Sequence, residues 1–238
     1  MNTSSARGPA TAGSQTLSRG LQALELLGEA EAPLTINELA EGLGIHRSNA
    51  YRILRTLEQR RFVARDEAGR IRLGPKLTAL ARGVAPALHT AATPAITELA
   101  YRLGMTAFLT VLDIDEVVTL ITVEPSNATA IARNPGVRHP VERGAPGHAM
   151  EASLSAVERE RLLGSPEFGE AALAAKRDGY ALSRHEVVEG VMGVAVPLRI
   201  PGEPPAAVAV VHFSLPESLD DIVGALQGAA REIAQNYA

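Results

Sequence analysis

The stretch from Thr35 to Leu57 narrows the fold most, because it encodes two short helices with a tight turn between them and a polar face on the second. Thr35 followed by Glu38 is a capping box: the threonine side chain accepts from a first-turn N–H and the glutamate reaches back to the Thr35 N–H, so a helix starts there. Leu39, Ala40 and Leu43 give that helix one apolar stripe, and Gly44 supplies the positive φ that ends it. Ile45 and His46 fill the turn. The next helix buries Ala50, Ile53, Leu54 and Leu57 at i, i+3, i+4 and i+7, which leaves Arg47, Ser48, Asn49, Tyr51, Arg52 and Arg55 off the buried stripe. Helix, short turn and polar second helix make a helix-turn-helix, whose second helix fits a DNA groove.

Two flanking pieces complete the unit. Upstream, Leu17, Leu21, Leu24 and Leu27 repeat at helical spacing behind Ser18, a residue able to cap, and predict a first helix packed on the other two. Downstream, Phe62 to Arg65 and Arg70 to Leu73 are β-prone runs around the turn-forming Asp66-Glu67-Ala68-Gly69, which predicts a hairpin or wing. Arg65, Arg70 and Arg72 alternate there with apolar residues, so one face packs while the other offers guanidinium groups to phosphates.

Charge is divided along the chain in the same sense. The whole sequence carries a net −4, which alone argues against nucleic acid. Residues 47–82, however, hold ten basic against three acidic residues, a net of +7, whereas residues from 83 onward hold 11 basic against 19 acidic, a net of −8. A basic head on an acidic body is the distribution that DNA binding requires, because counterion release depends on local cationic contacts. In this division Ser48, Asn49 and Arg52 are expected at base edges, and Arg47, Arg55, Arg65, Arg70 and Arg72 mainly at phosphates.

The 238 residues, 46% of them hydrophobic, suffice for two domains with a core each. The absence of cysteine excludes disulfides, thiolate catalysis and cysteine-ligated zinc, and is compatible with the cytoplasmic location expected here. Residues 1–15, rich in Ser, Thr, Ala and Gly and without an apolar run, read as a flexible tail rather than a signal peptide. No stretch approaches the roughly 20 apolar residues of a membrane span. The expected boundaries are 16–75 for the winged helix-turn-helix, 76–89 for a linker helix running from Leu77 to near Pro86, and 90–238 for a second domain.

That second domain reads as α+β. Ile96, Leu99, Ala100 and Leu103 predict a helix closed by Gly104. Ala107 to Leu112 and Val117 to Val123 read as a hairpin, and Ala128 to Arg133 as a third strand before the turn Asn134-Pro135-Gly136. Gly147 to Leu154 and Ala156 to Leu163 look helical, Val191 to Leu198 and Ala206 to Phe213 look like strands, and Ser218 to Tyr237 has helical periodicity. Antiparallel strands with helices at the start, middle and end give the α+β class.

Three stretches then carry a family resemblance: Gly44-Ile45-His46-Arg47-Ser48-Asn49-Ala50-Tyr51-Arg52 followed by Leu54; Gly136 through Pro140 to Gly147; and Gly179-Tyr180 followed by Glu189-Gly190, Ala195 and Pro197. Collinear over most of the chain, they resemble the IclR family of bacterial transcriptional regulators. The resemblance implies an all-α, β-winged helix-turn-helix domain joined to an α+β GAF-like domain that binds a small metabolite. It further implies a pocket formed by the loop carrying Ala145 and Pro146, by Ser183, by Gly193, and by His212 with Ser214. Family members commonly have Cys or Ser at the place of Gly193 and often Ser at that of His212. His212 and Ser214 lie two apart on one strand and so share a face; they are expected to orient an organic acid or aromatic metabolite, the alternative being a core histidine satisfied by backbone. Glu142 and Arg143 read as a rim ion pair.

Chemistry finds little support in the sequence. His185-Glu186 with Glu189 is half of a zinc-binding His-Glu-x-x-His, with the second histidine missing. No nucleophile elbow, phosphate-binding loop or dinucleotide fingerprint occurs, and the six histidines are scattered. The expectation is a ligand-responsive regulator, a repressor rather than an enzyme, needing no metal or cofactor. Its partners would be double-stranded operator DNA, a small organic acid or aromatic metabolite, and a second copy in a homodimer or dimer of dimers. A metabolic enzyme or a protein-interaction module with a vestigial DNA-binding head is the alternative.

Overall fold

The computed structural model describes residues 14–125, 131 and 134–237. They form two compact units that divide between Val84 and Ala85. The first contains α1 (Gln15–Glu29), α2 (Ile36–Gly42), α3 (Arg47–Gln59), the two-stranded sheet of β1 (Val63–Arg65) and β2 (Ile71–Leu73), and α4 (Lys76–Ala81). The capping box forms as read, with Glu38 N–H donating to Thr35 Oγ1 at 3.2 Å and Thr35 N–H to a Glu38 carboxylate oxygen at 2.7 Å. The Thr35 N–H first, and then the Thr35 hydroxyl, hold the Glu38 carboxyl below its ordinary pKa. Gly44 takes the left-handed conformation that turns the chain into α3. The α1 cap is Ser14 rather than Ser18, whose own N–H is already inside the first turn, bonded to the Ser14 carbonyl.

Ala23, Leu27, Leu39, Ile53, Leu54, Val63 and Ile71 close the core between the three helices and the wing. Ile71 also bonds Leu34 ahead of α2, so the wing is anchored to the helix-turn-helix by backbone pairing as well as packing. The expected linker helix is shorter than the interval 76–89. α4 ends at Ala81, Ala85 is left-handed, and Pro86 is the first residue of the next helix, α5 (Pro86–Leu103). Proline suits a helix start because the first-turn N–H has no intrahelical partner to lose, so Pro86 begins a helix that the sequence reading ended there.

The second unit is a six-stranded antiparallel sheet in the order β5-β4-β3-β8-β7-β6. Its strands are β3 (Thr106–Asp113), β4 (Glu116–Val123), β5 (Arg138–Pro140), β6 (Ala181–Arg184), β7 (Met192–Leu198) and β8 (Ala206–His212). Helices α5 and α9 (Asp220–Asn236) cover one face; α6 (Gly144–Ala152) and α8 (Glu170–Asp178) cover the other, with α7 (Ala156–Leu163) between them in sequence. Period-two alternation sorts β8 cleanly. Ala206, Val208 and Val210 pack against α5 and α9, while Ala207, Ala209 and Val211 face α6. Burial on both faces explains why β7 and β8 read as continuous apolar runs. The strand expected at Ala128 to Arg133 lies outside the described residues apart from Ile131.

Small residues let α6 lie close to the chain entering it. A Cβ on Gly147 would fall 2.0 Å from the Val141 carbonyl oxygen. Behind α6, Glu151 takes two hydrogen bonds from the Arg159 guanidinium at 2.7 and 2.9 Å, a buried pair that ties α6 to α7. The helix is thereby fixed with its first turn, Gly144 to Gly147, against the ends of β6, β7 and β8.

Candidate functional site

The first candidate site is the exposed side of α3. Ala50, Ile53 and Leu54 are buried, while Arg47, Ser48, Asn49, Tyr51, Arg52 and Arg55 are all exposed, as the spacing predicts. His46 caps the helix: its Nδ1 accepts the Ser48 N–H at 3.3 Å and lies 2.9 Å from the Ser48 hydroxyl, which positions that side chain at the leading end. Asn49 lies toward α1, and with Arg52 and Thr56 it borders a cleft whose other wall is Leu17, Leu21 and Leu24. Among the described residues Arg47, Arg52, Arg55 and Arg72 make no ion pair. Arg65 differs. Its guanidinium is held by Glu58 at 2.5 Å and by the Gly69 carbonyl at 3.2 Å, so it braces the wing against α3. The outward cations of the wing are Arg70 and Arg72.

The second candidate site is a cavity of about 30 Å³ where the first turn of α6 meets β6, β7 and β8. Pairing aligns Ser183 with Gly193 and Gly193 with Val211, so these three residues form one row across the sheet facing α6. Gly193 leaves the row open: a Cβ there would sit 3.1 Å from Ser183 Oγ and 3.7 Å from the Ala145 methyl. Ser183 is buried, and its hydroxyl has no hydrogen-bond partner among the described residues. Pro146, Phe108 and the buried ring of His139 complete the wall.

The loop joining β6 to β7 is the roof. His185 and Gly190 are left-handed, and the His185 N–H bonds the Val191 carbonyl at 2.8 Å, so the loop is a closed turn. It brings Val187 and Val191 over the cavity, with the exposed Val188 at its edge. One oxygen of the Glu186 carboxylate receives the Gly144 N–H at 2.8 Å and lies 2.8 Å from His148 Nε2. An ionised carboxylate only accepts, so the His148 hydrogen is on Nε2 in this pair. The Arg143 guanidinium donates to the Glu186 carbonyl oxygen, and Arg143 makes no ion pair with Glu142 among the described residues. The expected rim pair is thus replaced by a fastening of the roof.

The structure therefore gathers Ala145, Pro146, Ser183 and Gly193 as the resemblance implied, and leaves out His212 and Ser214. Val211, opposite Gly193, fills the pocket row; His212 is opposite Met192 and projects from the other face, its Nδ1 2.7 Å from the Ser214 carbonyl oxygen. Adjacent residues of a strand point to opposite faces, so Val211 and His212 cannot both face this cavity. His139, His148, Glu186 and Val211 were not expected. In sequence Glu186 belongs to half of a zinc motif, but it sits in a loop, and no metal-binding cluster occurs among the described residues.

Comparison with known proteins bears on both sites. Residues 16–67 match the IclR helix-turn-helix domain and residues 85–235 match the bacterial transcriptional regulator IclR C-terminal domain. The chain belongs to the IclR family. This IclR-family chain is 32% identical over 201 residues to the HTH-type transcriptional regulator XynR of Escherichia coli, covering 77% of the chain and 80% of that relative. It is 31% identical to the HTH-type transcriptional regulator Rv1719 of Mycobacterium tuberculosis, covering 79% of the chain and 78% of the relative. Among solved structures, an IclR homologue from Microbacterium hydrocarbonoxydans complexed with 4-hydroxybenzoate superposes with a TM-score of 0.80 at 25% identity, over 94% of this chain and 99% of the other. The relatives are transcriptional regulators, not enzymes, and this chain is an IclR-family transcriptional regulator with a helix-turn-helix domain and a C-terminal effector domain.

Proposed function

We infer that this protein is a repressor that binds double-stranded operator DNA through α3 and the wing and responds to a small organic acid or aromatic metabolite held between α6 and the row Ser183, Gly193 and Val211. The observation that carries the ligand half is the Ser183 hydroxyl, which lines the cavity without a hydrogen-bond partner among the described residues, beside a helix N-terminus whose N–H groups attract an anion. A relative in complex with 4-hydroxybenzoate supports the acid or aromatic class. A cavity of about 30 Å³ has room for about one water, so a metabolite enters only as the Val187, Val188 and Val191 roof lifts.

On the DNA side, Ser48, Asn49 and Arg52 read base edges, and Arg47, Arg55, Arg70 and Arg72 hold phosphates, with Arg65 joining them only on release from Glu58. One helix-turn-helix reads few base pairs, so a homodimer on a two-fold site, able to pair into a dimer of dimers, belongs to the same reading. The test is operator binding by the full chain, measured by fluorescence anisotropy with a panel of aliphatic and aromatic acids, for wild type and Ser183→Ala. The expected result is that at least one acid alters wild-type binding and that the substitution weakens the response about 5- to 150-fold in acid concentration, the range for losing one ligand hydrogen bond. A response that survives Ser183→Ala unchanged refutes the pocket.

A further inference from the structure

We propose that Glu186 is a built-in competitor for the effector: in the ligand-free protein its carboxylate occupies the seat that the acid group of the effector takes when the roof lifts. This rests on the pocket reading above and adds how that pocket is regulated and which ligands it accepts. α6 has no cap from its own sequence, since Arg143 offers no capping side-chain acceptor. The cap comes from 42 residues away, where Glu186 accepts the Gly144 N–H and faces His148 Nε2. Both donors are buried, with Gly144 against the cavity wall and the His148 side chain only 7% exposed, and both depend on the one Glu186 carboxylate oxygen.

The same loop fills the cavity. Val187 packs on Gly144 so tightly that its Cγ2 lies 2.8 Å from where a Cβ would be. A ligand that displaces Val187, Val188 and Val191 must carry Glu186 with them, because one seven-residue turn closed by the His185–Val191 backbone bond holds all four. Opening then strips two buried donors of their acceptor. A ligand bearing a carboxylate restores both hydrogen bonds and the favourable charge at the helix N-terminus; an amide or alcohol analogue leaves them deficient and is rejected, as sites built on buried polar groups reject analogues lacking the matching group. Because the competitor is tethered, it sets an intrinsic threshold: apparent affinity for the acid is the intrinsic affinity scaled by the fraction of open molecules.

The experiment removes the tethered carboxylate and supplies a free one. In the full chain, Glu186→Ala and the isosteric Glu186→Gln are compared with wild type by amide hydrogen exchange at Gly144 and at residues 185–191, with β7 as the internal reference. Both substitutions are expected to raise exchange at the roof and at Gly144 about tenfold, with β7 unaltered. Sodium acetate at high millimolar concentration is expected to restore protection of Gly144 in Glu186→Ala, while acetamide and sodium chloride do not, and wild type ignores all three. Unchanged roof exchange in both variants, or equal rescue by acetate and acetamide, overturns the proposal; Glu186→Gln keeps the test valid should the alanine variant fold poorly. Failure of the pocket reading has a different signature, a wild-type chain indifferent to every acid on the panel, because acetate rescue probes the seat without an effector.

Discussion

Replacing Gly147 by Ala tests whether the close approach of α6 to Val141 is real. Glycine to alanine inside a helix ordinarily stabilises by about 1 kcal/mol. At Gly147 the added Cβ would lie 2.0 Å from the Val141 carbonyl oxygen and 2.8 Å from its carbon, so backbone has to move by more than an ångström. Val141 is fully buried and its N–H is bonded to the Asp115 carbonyl at 3.0 Å, so it cannot yield alone. Overpacking of this kind costs about 1–3 kcal/mol, and contact with backbone rather than a side-chain tip puts it at or beyond the upper end. After the helix-propensity gain, a net loss of about 2 kcal/mol is expected, or a fall in Tm of about 4–8 °C for a domain of this size. Gly228→Ala in α9 is the matched control: nothing lies within 4 Å of its Cβ position, so Tm should rise by about 2–4 °C. Both are read by scanning calorimetry on the full chain. A Gly147→Ala protein that melts at or above wild type refutes the packing and, with it, the placement of the α6 N-terminus in the pocket.

Arg52→Ala should weaken cognate operator binding by about 1–3 kcal/mol and relax its sequence preference, whereas Arg70→Ala should weaken all sequences alike and lower the salt slope by about one; anisotropy titrations across salt concentrations separate the two. His212→Ala should leave the acid response intact, since that ring lies on the face away from the pocket, and a lost response would reverse the β8 assignment. Glu158, held down to about 2 from an ordinary 4.5 by the Ser155 N–H, then the Ser155 hydroxyl and Arg199, contributes stability above pH 4.5 that is lost as pH falls toward 2. Glu158→Gln should therefore flatten the pH dependence of stability between pH 5 and pH 2, as followed by urea denaturation. Light scattering at micromolar concentration should give two or four chains, and a strict monomer that binds its operator tightly would contradict the two-fold reading.

What could be read from sequence was whatever is set locally. The Thr35–Glu38 box, the positive φ at Gly44 and the α3 stripe each depend on residues within one or two turns, and each appears where the spacing put it. Pro86 was also legible as a boundary, but not its direction, because proline marks both helix starts and the chain beyond helix ends. α8 went unread: an alanine-rich segment with only Ala172 and Ala175 buried carries little periodicity, and the four-residue β6 beyond Gly179 offers less. The pocket divides in the same way. Ser183 and Gly193 were reached through resemblance, but which residue of β8 faces them depends on pairing between strands far apart in sequence, and a shift of one residue exchanged Val211 for His212. Glu186 was invisible in its real role because its partners, Gly144 and His148, are brought to it only by the fold.

The central claim is that one chain couples an operator to a metabolic acid. Its most direct test is DNase footprinting by the full-length protein on the DNA upstream of its own gene and the neighbouring genes, with and without a panel that includes 4-hydroxybenzoate. The account predicts protection of two half-sites related by two-fold symmetry, with occupancy that shifts in the presence of an acid and not of its amide. Uniform, salt-sensitive coverage with no protected site, or a protected site that no acid alters, would contradict it.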